Sequence, residues 1–147
     1  MVRNKHAVEI ARPPAAVFPY LTDPERLLRW VGGLHEFVPV NGTRAQKGSR
    51  SRQRMRVAGR DWTFEGEVLD FEPDRRIVVC IRGRGLRMTS DYRLEQTATG
   101  THLSVRVKSE FTRVFARLLG GIVEREGQRK LESDLRRLAG LVEDETG

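Results

Sequence analysis

Residues 49–70 read SRSRQRMRVAGRDWTFEGEVLD, with an arginine at every second position from 50 to 56. Successive side chains of a β-strand point to opposite faces, so this spacing places the arginines on one face of a strand. Gly59-Arg60 suits a two-residue turn, and beyond it polar positions alternate with aromatic or small ones. The stretch therefore predicts a β-hairpin with one charged face and one apolar face.

The predicted turn also fixes which residues of the hairpin lie opposite one another. The charged face pairs Arg56–Thr63, Arg54–Glu65 and Arg52–Glu67. The apolar face pairs Val57–Trp62, Met55–Phe64 and Gln53–Gly66. A shift of one residue would mix the two sets, so the alternation itself specifies the two faces.

The charged face has two interpretations, a solvated outer surface or a surface that binds nucleic acid. The chain has a net charge of +7, and 23 of its 27 basic residues are arginine. This positive charge is compatible with an acidic partner such as nucleic acid. A sheet that binds RNA places aromatic rings beside its basic residues, so that bases can stack. Here the aromatic rings lie on the opposite face. The pattern favours a solvated surface, and nucleic acid is not expected as a partner.

The remaining elements follow from the same kind of periodicity. Residues 4–11 alternate as a first strand, and residues 14–30 read as two short helices, begun by proline and ended by Gly32-Gly33. From residue 34 onward the period is two, which gives six consecutive antiparallel strands, the hairpin included. These patterns predict a helix pair followed by an antiparallel sheet.

The C-terminal region is predicted to be helical. From about residue 113 to 143, apolar residues recur at three- and four-residue spacing. Gly120, Gly121 and Gly127 interrupt this pattern. They either leave space beneath the helix or allow it to pack closely on the sheet, and the sequence does not decide between these roles.

The composition fits one domain over residues 1–147. With 38% hydrophobic and 32% charged residues, the chain can bury a core without disulfides or metal. No apolar run approaches the ~20 residues that cross a bilayer, and we expect a cytoplasmic protein without a membrane span. Cys80 is the single cysteine and lies in the apolar run IVVCI, which predicts a buried, unreactive thiol.

The three histidines give no clear sign of chemistry. His6, His35 and His102 lack the spacing of metal ligands, and neither a metal nor a cofactor is expected. His6 and His35 have no identifiable carboxylate partner in the sequence. His102 falls on the outer face of its strand.

Three passages carry a resemblance to a known family. Residues 8–30, VEIARPPAAVFPYLTDPERLLRW, give a strand, a proline, an aromatic-bearing helix and an Asp-Pro pair shortly before a tryptophan. Residues 65–79, EGEVLDFEPDRRIVV, and the closing LESDLRRLAGLVE at 131–143 follow. Together they resemble the polyketide cyclase/dehydrase-like branch of the SRPBCC (START-like) superfamily. The resemblance implies an α+β helix-grip fold: a seven-stranded curved antiparallel sheet wrapped around a long C-terminal helix, with two short helices between strands 1 and 2.

The resemblance also implies a cavity between sheet and helix that holds a hydrophobic or aromatic small molecule, polyketide- or lipid-like. Whether the protein cyclises or dehydrates that molecule stays open. The ligand-facing candidates come from three sources: the inward positions of the strands, the tryptophan that the family places at the cavity mouth, and the helix that covers the sheet. They are Trp30, Gln53, Met55, Trp62, Phe64, Met88, Ser90, Tyr92, Leu118 and Ile122. Trp30 fits equally well an aromatic staple that closes the helix pair onto the sheet.

Tyr92 is the best candidate for a catalytic residue, because its hydroxyl could donate to a developing enolate oxygen. A core tyrosine whose hydroxyl bonds to a neighbour has the same sequence pattern. Two other functions stay open: a non-catalytic module with a filled core that docks a partner protein, and a basic nucleic-acid binder. The sequence does not decide between monomer and homodimer.

Overall fold

The computed structural model describes residues 1–57, 59–114 and 123–145. Within these ranges the strands are β1 (Val2–Ile10), β2 (Leu34–Pro39), β3 (Arg50–Val57), β4 (Arg60–Glu72), β5 (Arg76–Gly83), β6 (Leu86–Gln96) and β7 (Thr101–Phe111). The helices in the same ranges are α1 (Pro14–Val17), α2 (Pro19–Thr22), α3 (Pro24–Trp30) and α4 (Val123–Asp144). Of the helices so described, none is long and apolar enough to span a membrane.

The seven strands form one antiparallel sheet in the order β1-β7-β6-β5-β4-β3-β2. The short helices connect its two edge strands, β1 and β2, and the later strands follow one another as hairpins. The pairing of β4 with β5 shifts between Val68 and Asp70, and that of β2 with β3 shifts between Leu34 and Glu36. Such irregularities bend and twist strands. The predicted curved, seven-stranded antiparallel sheet is confirmed.

The helical region between β1 and β2 is interrupted at Phe18, which ends α1 and begins α2. Pro19 follows immediately and has no N–H to donate into the preceding turn, so the helix cannot continue unbroken. The first of the two predicted helices is therefore two short pieces. The second is α3, and its start is as predicted: the Asp23 carboxylate accepts a hydrogen bond from the Glu25 N–H at 3.3 Å, with Pro24 at the first position.

The two predicted faces of the β3–β4 hairpin are confirmed, but the predicted pairing is wrong by two residues. Val57 lies opposite Arg60, and Arg52 lies opposite Glu65 instead of Glu67. The connection is thus centred one position before the predicted turn. Because side chains repeat every two residues along a strand, a change of partner by two leaves each side chain on its predicted face.

Among the described residues, buried apolar side chains form two clusters. The first joins the short helices, β1, β7 and the C-terminal half of α4, where Leu135, Leu138 and Val142 are fully buried. The second lies on the inner face at β3, β4 and β5 and includes Met55 and Phe64. Cys80 is buried, as predicted.

Gly127 brings α4 close to the edge strand β1. A Cβ atom at this position would lie only 2.9 Å from Oδ1 of Asn4. Asn4 is itself bonded to α4, since its Nδ2 donates to the carbonyl of Glu124 at 3.1 Å and to Oε1 of Gln128 at 3.3 Å. Gly127 therefore allows α4 to pack closely against β1. The other two glycines of the predicted helix, Gly120 and Gly121, lie outside the described residues.

Candidate functional site

A cavity of about 580 Å³ lies between the inner face of the sheet and the helices. Both core clusters contribute to its wall, the first through Trp30 and Ile77 and the second through Met55, Phe64 and Ile81. Cavities that hold small organic ligands are typically ~300–1,000 Å³, apolar, and furnished with a few polar groups. This cavity fits that description in volume and in lining.

The structure brings seven of the ten predicted ligand-facing residues to the cavity wall, which are Trp30, Gln53, Met55, Phe64, Met88, Ser90 and Tyr92. Trp62 is on the inner face but is not among the described lining residues. It packs in the second cluster, where its indole N–H donates to the carbonyl of Val57 at 3.0 Å and the Arg84 guanidinium lies 5.6 Å from its ring. Leu118 and Ile122 lie outside the described residues.

Tyr92 projects from the inner face of β6, half-buried, with the cavity on its accessible side. Burial and the negative charge of Asp134 raise the pKa of Tyr92 to about 12, and a hydrogen bond with Ser90 opposes this rise. The phenolic hydrogen therefore stays in place at neutral pH. Tyr92 is therefore equipped as a hydrogen-bond donor.

Trp30 combines the two roles that its sequence context allowed. Its indole N–H donates to the carbonyl of Tyr20 at 2.7 Å, and its own carbonyl accepts from Arg137 of α4 at 2.9 Å. These bonds fasten α3 to α2 and to α4. The ring also lines the cavity and meets Tyr92 edge-on, with centroids 6.3 Å apart. It thus holds Tyr92 in place from the helical side.

Asp134 is a lining residue that the sequence-based prediction missed. This buried carboxylate on α4 accepts hydrogen bonds from Lys130 at 2.5 Å, from the Gly32 N–H at 3.1 Å and from Arg137 at 3.3 Å. A signal was present, because Asp134 lies within the apolar stripe formed by Leu131, Leu135 and Leu138. An acid at such a position is expected to have buried partners.

Loop residues before β3 also line the cavity, among them Thr43 and Arg44. This loop is held by its own side chains: Nδ2 of Asn41 donates to the Gly48 carbonyl at 3.0 Å, and Oδ1 of Asn41 accepts from the Arg50 N–H at 2.7 Å. The sequence of this loop has no periodicity, so neither its conformation nor its contact with the cavity could have been predicted.

The histidines lie apart from the cavity wall. His35 has a carboxylate partner that the sequence did not reveal. Its Nε2 is 3.2 Å from Oδ1 of Asp61, and both side chains are partly exposed. His102 contacts Glu9 on the outer face of the sheet, the face predicted for it. Among the described residues, no group of three or more potential ligands is arranged to hold a metal ion.

Comparison with known proteins identifies related sequences and folds. A sequence model of the family described as "Polyketide cyclase / dehydrase and lipid transport" matches residues 1–143. No curated protein matches the sequence. Three solved structures illustrate the structural likeness.

A protein from Chromobacterium violaceum is 19% identical with a TM-score of 0.75, and the match covers 99% of this chain and 100% of that one. A protein from Thermus thermophilus is 23% identical with a TM-score of 0.72, covering 96% and 95%. Ara h 8.0201 is 16% identical with a TM-score of 0.72, and the match covers 95% of this chain and 96% of that one. At these identities the likeness establishes the helix-grip fold.

Proposed function

The chain belongs to the polyketide cyclase/dehydrase and lipid transport family of the SRPBCC (START-like) superfamily, and from this premise we propose that it binds a hydrophobic or aromatic small molecule, polyketide- or lipid-like, in its cavity. The observation that carries the proposal is the cavity of about 580 Å³ between the two core clusters. A module that only docks partner proteins would have no need of this space, since interiors are normally close-packed.

The polar groups of the wall support a ligand that bears oxygen. Tyr92 offers a hydroxyl hydrogen that its raised pKa keeps in place, and the surrounding wall is apolar at Met88, Val79 and Ile77. A carbonyl or hydroxyl oxygen placed at Tyr92 would satisfy that donor away from water. Tyr92 therefore orients the ligand within the cavity.

Binding without turnover is the form of the proposal that the site supports best. Cyclisation of a polyketide requires, besides a donor to the enolate oxygen, a base that removes a proton from the neighbouring carbon. Among the described residues, three carboxylates line the same cavity, and each is already engaged. Asp134 is held by Lys130, Arg137 and the Gly32 N–H. Glu67 pairs with Arg82 at 3.1 Å, and Glu126 pairs with Arg129 at 3.4 Å. A base so engaged is poorly disposed to accept a proton from carbon.

Filling the cavity tests the proposal. Val79 lies on the wall midway along the sheet, opposite Ser90, so Val79→Phe places a ring in the space that the ligand would occupy. Titration of the fluorophore N-phenyl-1-naphthylamine should show saturable one-site binding to the wild-type protein and an affinity at least ~10-fold lower for Val79→Phe. Circular dichroism and urea unfolding establish that the variant is folded.

Thr63→Phe is the matched control. It adds a larger aromatic side chain as well, but at an exposed position on the outer face of β4. Its affinity for the fluorophore should equal that of the wild type. Absence of saturable binding to the wild type, or equal binding by folded Val79→Phe, would show that the cavity is not a ligand site.

A further inference from the structure

Ser51 and Gln53 form a second polar position on the cavity wall, away from Tyr92. They occupy consecutive inward positions of β3, and both line the cavity. Ser51 is buried and Gln53 is half-buried. Their inward neighbours are the apolar side chains of Met55 and Phe64. Packing alone would favour apolar residues here, because buried polar groups require partners.

Within the part of the chain that the structure describes, the two side chains satisfy each other only in part. Nε2 of Gln53 donates to Oγ of Ser51 at 3.1 Å, and no other hydrogen bond of either side chain is found there. A glutamine amide has two donor hydrogens and an acceptor oxygen. Whichever way the amide is turned, one of its ends bonds to Ser51 and the other is left for a group in the cavity.

Gly66 makes room for this pair. It lies opposite Ser51 on β4, and a Cβ atom there would overlap both Oγ of Ser51 and Nε2 of Gln53. Glycine weakens a strand interior and often marks a close approach of other groups. In this strand the missing side chain allows the two polar ends to lie over β4, facing the cavity. The three residues, Ser51, Gln53 and Gly66, are called the β3–β4 subsite below.

The β3–β4 subsite and Tyr92 lie on strands three steps apart, since β5 and β4 separate β6 from β3. Adjacent strands are ~4.8 Å apart, which separates the two positions by roughly 14 Å across the strands. The register places Ser51 in the row of Gly66, Ile81 and Met88, four residues before Tyr92. At ~3.3 Å per residue this adds about 13 Å along the strands, so the backbone positions are roughly 20 Å apart over the sheet surface. Val79 and Ile81 of β5 form the apolar wall between them. Along these four strands the wall is thus polar at Tyr92 and at the β3–β4 subsite and apolar at the β5 side chains between them.

We propose that this cavity selects an elongated apolar ligand with an oxygen at each end, one bonded to Tyr92 and the other to the β3–β4 subsite. The inference rests on the proposed function, because it specifies the class of molecule that the same cavity takes. A molecule with a hydrogen-bonding group at one end only leaves one position unsatisfied. It therefore binds more weakly.

Three probes of one shape test this inference: trans-stilbene, 4-hydroxystilbene and 4,4′-dihydroxystilbene. Affinity, measured by fluorescence titration of the full chain, should rise about threefold to tenfold with each hydroxyl. Gln53→Met and Tyr92→Phe should each reduce the affinity for dihydroxystilbene to that of hydroxystilbene in the wild type. The double variant should reduce it to that of stilbene, whose own affinity stays unchanged throughout.

Gly66→Ala provides an independent test from the opposite strand, since the added methyl group displaces both polar ends without removing them. It should act on dihydroxystilbene as Gln53→Met does. Ser51→Ala adds no bulk and decides the matter if Gly66→Ala fails to fold. Binding of all three probes with equal affinity, or variants of the β3–β4 subsite without effect, overturns the inference and leaves the proposed function standing. Failure of every probe to bind overturns both.

Discussion

Tyr92 is the residue whose protonation depends most clearly on the folded structure. Its pKa is raised to about 12 by burial and by Asp134, whereas an unfolded chain has a tyrosine pKa of ~10. Between these values the folded protein retains a proton that the unfolded chain has lost. The resulting stabilisation is complete below about pH 10 and is lost as the pH rises towards about 12.

The Tyr92→Phe variant should reveal this linkage. Two pKa units correspond to about 2–3 kcal/mol, so the free energy of unfolding of the wild type should fall by about that much more than that of Tyr92→Phe between pH 9.5 and 12. Urea unfolding at several pH values measures both curves. All other titratable groups are the same in both proteins, so their contributions cancel in the comparison. Parallel curves would contradict a raised pKa at Tyr92.

Strand parity was enough to predict the inward side chains, and helical periodicity was not enough to predict every residue that α4 contributes. Gln53, Ser90 and Tyr92 reach the cavity because alternate residues of a strand share a face. Asp134 was missed because the helical pattern was traced through apolar residues only. Its partners Lys130, Gly32 and Arg137 come from α4 and from the turn after α3, and no local pattern brings that turn to the helix.

At the level of elements, the order and faces of the strands were predictable and their exact partners were not. The β3–β4 hairpin illustrates the reason. Its alternation is compatible with any register that differs by an even number of residues, and only the turn distinguishes these registers. The turn was predicted one position too late, so Arg52 was paired with Glu67 instead of Glu65. The energetic difference is small because either pairing places an arginine against an acid.

The position of α4 against β1 gives a prediction at this scale. In an exposed helix interior, Gly→Ala stabilises by ~0.5–1 kcal/mol. At Gly127 the new Cβ would lie 2.9 Å from Oδ1 of Asn4, a side chain already tied to α4 by two hydrogen bonds. Gly127→Ala should therefore lower the free energy of unfolding by about 1 kcal/mol despite the better helix former.

Gly140 provides a matched control on the same helix, because a Cβ there meets nothing within 4 Å. Gly140→Ala should raise the free energy of unfolding by about 0.5–1 kcal/mol in the same urea experiment. In the Asn4→Ala background the penalty of Gly127→Ala should disappear, since the overlapping oxygen is gone. The same sign for both glycine variants would contradict close packing at Gly127.

At the scale of the whole molecule, the charges and the aromatic rings lie on opposite sides of the sheet. Arg50, Arg52, Arg54 and Arg56 are exposed on the outer face, whereas Phe64 and Trp62 point inward. Acids of adjacent strands stand among the arginines: Glu65 lies opposite Arg52, and Glu36 contacts Arg54 at 3.9 Å. Exposed pairs of this kind add only about 0–1 kcal/mol each to stability. The acids nevertheless partly neutralise the arginines beside them.

Such a surface should bind nucleic acid only through its net charge. The Debye length is ~8 Å at physiological salt, so scattered charges attract a polyanion weakly there. In filter-retention titrations with single- and double-stranded DNA and RNA, we expect binding at low salt that is lost by about 150 mM salt. Replacing Arg50 and Arg52 by glutamine should weaken the low-salt binding as much as replacing Arg125 and Arg136, which are exposed on α4. Two results would instead identify the outer face as a nucleic-acid site. One is a selective loss of binding in the β3 variant, because only at a specific site do particular arginines matter more than the total charge. The other is binding retained at 150 mM salt with a preference for single- or double-stranded nucleic acid.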